Sequence, residues 1–572
     1  MKLINSSDFG NLRQFWFNAA MRLLGLNAIN DIYEGVENES GYSFAAKFFE
    51  NHNAQYIVAK EQLKNIPAKG AVVVIANHPT GMLDGLIMLD LLLKTRPDVK
   101  IMGNHLLKRL EPVWSYFIEM DPFDNKRSKN INGIKTSLEH LQAGGLLMLF
   151  PAGEVSTWHR GFKVEDKKWS SAIVKMIRRA NVPVVPVFLG GKNSFQFHLL
   201  GTIHPLLRTV QLPRELVNKK NKTIPTAIGA PIPPARTKTL TTDAEYSNFL
   251  RNSIYILKET IASSPKENVK AAEKTPKEIV FSQDVALLQS EIEQLKKSYL
   301  LFEQGSMSVF FASPDKMQHL IQEIGRLREI TFREVGEGTN LEIDLDKYDA
   351  YYWQLFIWDN NNNQIVGGYR LGMGAEIIPQ YGRSGFYTHS LFCLSEKMES
   401  ILKATIELGR SFIVKEYQRN LTSLLLLWRG ILTILLTYKQ YHYLMGPVSI
   451  SNEYKEVSKS LIMDYIKKNH LEKEIARWVK PRNKPCKGKH QSLQKYVESI
   501  NHIDLLDKWV LDMENHQRGI PILIKKYLQI NGKVLSFNID TDFNDVLDAL
   551  MLLDVSKIPQ STLSMLTKEN SE

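Results

Sequence analysis

The stretch Asn77-His78-Pro79-Thr80-Gly81-Met82-Leu83-Asp84 puts an imidazole and a carboxylate on one short connection. Imidazole titrates near neutrality, and a nearby carboxylate fixes its tautomer and stabilises the charge it gains with a proton. A neutral alcohol is a poor nucleophile until its proton is taken, so such a pair suits general-base activation of a hydroxyl. The β-branched apolar run Ala71 to Ala76 before it reads as a buried strand, and the apolar stretch after Gly85 reads as helix. Pro79 and Gly81 break regular structure in between. Six positions along a regular helix turn through about 240°, so His78 and Asp84 converge only if this Pro/Gly loop folds back. Taken alone, the motif is more often a solvated turn.

Three further stretches of the first half carry charge or turn chemistry. Asp121 to Arg127 (DPFDNKR) sets Lys126 and Arg127 on a loop before an expected helix at 131–143. Phe150-Pro151-Ala152-Gly153-Glu154-Val155-Ser156 closes a strand with a turn and a carboxylate, and Val182 to Val187 (VPVVPV) enters another strand.

The second half places charged residues repeatedly at the ends of apolar elements. Arg328 and Arg333 precede the acidic cluster Asp344-Leu345-Asp346-Lys347-Tyr348-Asp349, and Arg370, Glu407, Arg410 and Arg429 follow. Carboxylates of such a cluster could deprotonate an amine, while arginines could grip a carboxylate with two parallel bonds. For any one of them, a helix-terminal or rim salt bridge is the plainer account.

The elements that must position these groups fall into two sets. Strand-like runs at 71–76, 146–150, 184–189 and 224–229 alternate with helical ones at 85–94, 131–143 and 169–180, which is an α/β pattern. Residues 263–278 are lysine-rich, carry two prolines and lack aromatics, as a linker would. Beyond it, helices at 282–300, 317–333, 396–408, 421–437 and 453–468 mix with strands at 351–358, 365–371, 443–450 and 533–538, an α+β pattern. The expected division is 1–262, a linker at 263–280, and 281–572.

At 572 residues the chain exceeds one compact core, in keeping with two domains. Cys393 and Cys486 give neither a disulfide framework nor zinc spacing, so a reducing compartment fits and no metal site is expected. The net charge of +11 suggests a polyanionic partner, either nucleic acid or an anionic membrane surface. The absence of a recognised nucleic-acid module lowers the first. No secretory signal pattern opens the chain. The run Leu421 to Leu436 is shorter than the ~20 residues of a membrane span and has Arg429 in its middle, so it reads as a buried amphipathic helix. Residues 11–25 have Trp16 and Phe15 at helical spacing with Arg13 and Arg22 elsewhere. Such a helix either packs on its own domain or lies in a bilayer interface.

In order and spacing, the four blocks of residues 45–255 resemble the glycerolipid acyltransferases of the lysophosphatidic acid acyltransferase type. The resemblance implies transfer of an acyl group from a thioester to a lipid hydroxyl at the membrane. His78 would be the general base and Asp84 its orienting partner. Lys126 and Arg127 would lie near the acceptor's polar group or the acyl carrier, and Pro151, Gly153 and Glu154 would line the acceptor pocket. The chain departs from that family twice: five residues separate His78 from Asp84, one more than usual, and Ala152 stands where a glutamate is expected.

Residues 300–555 resemble the GNAT-like N-acyltransferases of amino-acid-lipid synthesis, relatives of the acyl-homoserine-lactone synthases. Arg328, Asp346, Asp349, Arg370, Glu407 and Arg410 match motif positions. That resemblance implies transfer of a 3-hydroxyacyl group from acyl carrier protein to the α-amine of an amino acid. An acidic residue of the 344–349 cluster, Asp346 or Asp349, would act as base, and Arg328 or Arg370 would anchor the substrate. Together the halves resemble the bifunctional synthases of ornithine lipids and related aminolipids, with ornithine or glycine as the acylated amino acid. The implied partners are acyl carrier protein (or acyl-CoA) as donor, an amino acid and a lyso-lipid as substrates, and a membrane surface on its cytoplasmic face. No bound cofactor, metal or nucleic acid is implied. The rivals are a single-activity lysophospholipid acyltransferase with a non-catalytic C-terminal domain, and a non-catalytic acyl-lipid-binding protein.

Overall fold

The computed structural model describes residues 34, 36, 39–104, 111–120, 127–159, 163–203, 205–262, 276–418, 421–485, 494–514, 517–541 and 543–560. The amphipathic stretch at 11–25, Lys126, Cys486 and most of the lysine-rich linker lie outside them. The chain forms two compact units. One comprises Met1–Lys266 with Ser499–Gly519, the other Glu267–Glu498 with Ile520–Glu572.

The first unit is built on a seven-stranded sheet in the order β1-β9-β8-β2-β5-β3-β4. Its strands are β1 (Gln55–Ile57), β2 (Val72–Ala76), β3 (Val99–Asn104), β4 (Phe117–Met120), β5 (Leu146–Leu149), β8 (Val184–Leu189) and β9 (Thr223–Ile228), and a separate hairpin pairs β6 (Thr157–His159) with β7 (Lys163–Glu165). All pairings in the sheet are parallel except β8 with β9. The central strands β2, β5 and β8 are buried throughout, which is why they read as unbroken apolar runs and not as alternating ones. Helices α1 (Gly41–His52), α2 (Met82–Leu93), α3 (Arg127–Gln142), α4 (Ser171–Ala180), α5 (Phe195–Ile203), α6 (Pro205–Val217) and α7 (Asp243–Ile256) complete it. Parallel strands need covered faces. Leu83, Leu86, Ile87 and Leu91 of α2 pack with Phe44 and Phe48 of α1 against Val72, Val74, Val185 and Val187.

An eight-stranded sheet organises the second unit, in the order β10-β11-β12-β13-β15-β16-β19-β18. These are β10 (Leu300–Gln304), β11 (Met307–Ala312), β12 (Trp353–Asp359), β13 (Gln364–Met373), β15 (Thr405–Ile413), β16 (Tyr443–Ile450), β18 (Lys533–Asp540) and β19 (Val546–Asp554); β14 (Phe392–Leu394) pairs with β17 (Val479–Pro481) apart from it. Its one parallel pair is β15 with β16, matched only over Thr405–Glu407 and Tyr443–Met445. Beyond that short match the registered pairing stops. Helices α8 (Val285–Lys296), α9 (Gln318–Glu334), α10 (Leu421–Thr437) and α11 (Glu456–Asn469) accompany the sheet. In α10, Leu426, Leu427, Ile431 and Ile434 pack on Val309, Leu355 and Ile357, so the apolar run at 421–436 is a helix buried against the sheet. Among the described residues no helix is long and apolar enough to cross a membrane.

Two expectations need correction. The helix expected over 396–408 ends by Lys403, and Thr405–Ile413 is a strand. Its apolar positions Ile406, Leu408 and Phe412 follow a period of two that Arg410 breaks. The division that kept 281–572 together misses an excursion: α12 (Ile503–Met513) packs into the first unit. There Trp509 is fully buried, stacks on Phe249 at 5.7 Å and donates its indole N–H to Ser253 Oγ at 2.8 Å. Asp512 accepts from the Ala230 amide at 2.9 Å and pairs with buried Lys508. Residues on the second unit's side of the linker are already part of it, since Lys277 and Val280 donate to the carbonyls of Asn340 and Glu342.

Candidate active sites

His78 leaves the C-terminal end of β2, and Asp84 occupies the first turn of α2. They converge because the chain between them is a loop and not a helix. Gly81 turns it with φ +88°, and a Cβ there would come within 2.9 Å of Leu212 on α6. The Asp84 carboxylate is wholly buried and accepts from His78 Nδ1 at 2.9 Å, the Thr80 amide at 2.7 Å, Thr80 Oγ1 at 2.5 Å and the Gly81 amide at 2.9 Å. An ionised carboxylate only accepts, so Nδ1 carries the proton and Nε2 keeps its lone pair. The ring stacks on Phe150 with centroids 4.1 Å apart, which fixes its plane, and the side chain retains 18% of its exposure. The extra residue in the motif is thus absorbed by the turn.

A second carboxylate supports the histidine from behind. Buried Asp166 accepts from the His78 amide at 3.3 Å and from Ser156 Oγ at 2.6 Å, while the Ser156 amide donates to the His78 carbonyl at 2.8 Å. Burial raises the Asp166 carboxyl, against the bonds from Ser156 and His78. Nothing in the sequence marks Asp166, which lies 88 residues from His78.

Of the other first-half candidates, Pro151 is buried, and Gly153 turns the chain after β5 with φ +68°. Glu154 is already engaged, by Lys167 Nζ at 2.8 Å and Arg208 at 2.7 Å. Burial pushes its carboxyl up, but those two cations outweigh burial and hold it below its usual range. Arg127 begins α3, with its side chain outside the described residues.

In the second unit the structure gathers all six motif residues. Arg328 on α9 is buried and pairs with Asp344 at 3.0 Å and Asp349 at 2.9 Å. Arg370 on β13 pairs with Asp346 at 2.7 Å and Asp349 at 2.8 Å. Arg410 on β15 reaches Asp344 at 3.1 Å and Asp346 at 3.5 Å. Burial would raise the Asp344 and Asp349 carboxyls, yet the arginines hold both below the ordinary range. Both carboxylates are thus tied to the arginines around them. Glu407 is buried with both oxygens occupied by Thr388, Tyr352 and the Tyr387 amide, and burial raises it. Arg328 spends itself on Asp344 and Asp349, whereas Arg370 keeps Nε and Nη2 buried without a partner. Three tyrosine rings, of Tyr348, Tyr352 and Tyr387, surround the Arg370 guanidinium at 5.3–5.7 Å.

Asp548 of β19 went unnoticed in the sequence. It lies opposite Ser449 on β16, whose Oγ donates to it at 2.8 Å. Leu550 and Leu552 of β19 pack with Tyr352, so alternation puts Asp548 on the same sheet face. Burial and the neighbouring Asp540 push its carboxyl up to about 8.

Comparison with known proteins agrees with both geometries. Residues 12–264 match the family model described as Acyltransferase, and residues 327–429 match the Acetyltransferase (GNAT) domain. The chain is an acyltransferase with two acyl-transfer domains. It is similar to a glycine N(alpha)-acyltransferase of Bacteroides thetaiotaomicron, 27% identical over 301 residues, covering 49% of this chain and 87% of the relative. It is also similar to a lyso-glycine lipid O-acyltransferase of the same organism, 27% identical over 232 residues, covering 38% of this chain and 83% of the relative. Among solved structures, a 1-acyl-sn-glycerophosphate acyltransferase from Thermotoga maritima covers 45% of the chain at 15% identity with a TM-score of 0.25, too slight a likeness to bear on the site. The α/β first unit and α+β second unit accord with these two domain types.

Proposed function

We propose that this chain makes an amino-acid-containing lipid in two acyl transfers, one at each site. The carrying observation is that one polypeptide matches both an amino-acid N-acyltransferase and a lyso-lipid O-acyltransferase. The second unit acts first. The amino acid's carboxylate takes the two unpartnered donors of Arg370, a fork suited to two oxygens. Its ammonium loses a proton, and the proposed acceptor is Asp548, a raised carboxyl within electrostatic reach of Arg410. The freed amine attacks the thioester carbonyl of a 3-hydroxyacyl donor, the amide forms, and the thiol leaves.

At the first unit, His78 Nε2 takes the proton of the new 3-hydroxyl as its oxygen attacks a second thioester. The imidazolium, held by Asp84, returns the proton to the departing thiolate. Acyl carrier protein is the proposed donor for both steps, its acidic surface suiting the basic chain, with acyl-CoA as the alternative. Glycine is the amino acid favoured by the names of the relatives. The proposed location is peripheral, at the cytoplasmic face of a membrane. Expression of the full chain in a host without aminolipids, followed by lipid mass spectrometry, should reveal a diacylated amino-acid lipid. A host lipid profile left unchanged refutes the proposal, and new acylated lysophospholipid alone would favour the single-activity alternative.

A further inference from the structure

Beside the His78 turn lies a pocket of about 210 Å³, lined by Trp158, Lys167, His198, Arg208 and two threonines. From it we infer a seat for the free carboxylate of the lyso-lipid acceptor, an inference that rests on the O-acyl-transfer function proposed above. His198, on α5, retains 4% of its surface, yet among the described residues neither ring nitrogen has a hydrogen-bond partner. An unpartnered buried donor is costly unless something fills it. Its ring stacks on Trp158 at 5.4 Å, which fixes its plane along the pocket wall.

Charge selects the ligand. Arg208 and Lys167 share one carboxylate, Glu154, so among the described residues the pocket keeps one uncompensated positive charge. The other nearby acid, Glu215, is paired with Lys219 at 3.1 Å. Burial, with Arg208 and Lys219 nearby, lowers the His198 pKa against the pull of Glu215. The imidazole is therefore neutral, with one N–H to give. A single carboxylate satisfies both the spare charge and that N–H.

Position ties the pocket to the reaction. Arg208 lies one turn before Leu212 on α6, and Leu212 is the residue that abuts Gly81 in the His78 turn. A Cβ on Gly201 of α5 would stand 3.2 Å from Arg208 Cδ, so the glycine leaves the guanidinium its room. Phe195, 64% exposed, sits edge-on to Trp158 of the pocket at 5.0 Å, and Leu199, Leu207 and Val210 of α5 and α6 are also exposed, apolar surface on the same helices for the chain of an amphipathic acid.

The test compares two acceptors with the full-length protein, an N-(3-hydroxyacyl)glycine and its primary amide, which lacks the charge. Wild type should esterify the acid with kcat/KM at least tenfold above the amide. Arg208→Gln should raise KM for the acid at least tenfold and leave the amide unchanged, removing the preference. His198→Phe keeps the ring stack and removes the N–H; it should narrow the preference several-fold in a protein that folds normally. Equal use of acid and amide by wild type overturns the pocket alone. An enzyme that acylates a lysophospholipid but neither glycine compound overturns the parent function and the pocket with it. Variants that slow both acceptors equally show a structural role and also overturn the inference.

Discussion

The two acyl-transfer sites spend their charged groups in opposite ways. At the first, one carboxylate with four donors serves a single imidazole and leaves Nε2 open. At the second, three arginines and three aspartates neutralise one another, and what stays unspent is a pair of guanidinium donors. A site that moves a proton needs an unfilled lone pair, whereas one that orders an amino acid needs unfilled donors. The charge network around Arg370 fits the role of scaffolding for the binding fork proposed for it.

Removal of the imidazole should have the largest effect. His78→Ala deletes the base and should cut O-acyl transfer by about 10²–10⁴-fold, with N-acyl transfer unchanged. Lipid mass spectrometry should then show the monoacylated amide accumulating. Asp84→Asn should fall short of that loss, because the ring keeps its stack on Phe150 while losing its charge partner. An undiminished diacyl product in His78→Ala would remove the dyad from the mechanism and with it the contrast between the sites.

Arg328→Met tests the network as scaffold. Loss of one partner from a buried pair leaves Asp344 and Asp349 short of their counter-charge, at a cost of about 3–5 kcal/mol. Thermal inactivation of N-acyl transfer should shift markedly downward, while the O-acyl activity of the same preparation keeps its profile. A variant that retains stability but loses amino-acid affinity would instead make Arg328 a substrate anchor.

The same contrast explains what the sequence disclosed. His78 and Asp84 are six residues apart, so a local turn builds the site and its parts appear together in the chain. The second site draws on α9, the 344–349 loop, β13 and β15, and only the resemblance linked those pieces. Asp166, Asp548 and His198 escaped because each acts through a neighbour distant in sequence, with no local pattern to mark it. Strand β15 is hard to read from the sequence because Arg410 breaks the series Ile406, Leu408, Phe412, while the bonds that make buried Glu407 tolerable come from Thr388 and Tyr352. The excursion of α12 was equally hidden: its apolar stripe looks the same whichever unit receives it.

Trp509 tests that excursion with a smaller effect. Trp509→Phe forfeits the bond to Ser253 and part of the stack on Phe249, a loss of about 1–2 kcal/mol. Although residue 509 lies within the 300–555 stretch that resembles the N-acyltransferases, O-acyl transfer should be the activity whose inactivation temperature falls, by a few degrees. A fall confined to N-acyl transfer would put α12 with the second unit.

The mildest perturbation is pH, which separates the two kinds of carboxylate in the second unit. Asp548 titrates near 8 when folded and near ~3.9 when unfolded, so the native state holds a proton that the unfolded chain has lost. Its contribution is complete below about pH 4 and is lost as pH rises toward 8. Asp344 and Asp349, held low by arginines, have the opposite sign: their contribution is present above about pH 4 and is lost on acidification. Between them the second unit should be most stable in mild acid. Asp540, Glu337 and Arg410 face Asp548 and shape its titration, the two acids raising it and the arginine lowering it. Asp548→Asn should remove most of the decline from pH 5 to 8 in chemical denaturation, and should also abolish the alkaline rise of N-acyl transfer if this carboxylate accepts the amine's proton. A flattened stability profile with an unchanged rate profile would leave Asp548 as a buried acid only, and would return the search for the proton acceptor to Asp346, the more exposed carboxylate of the network.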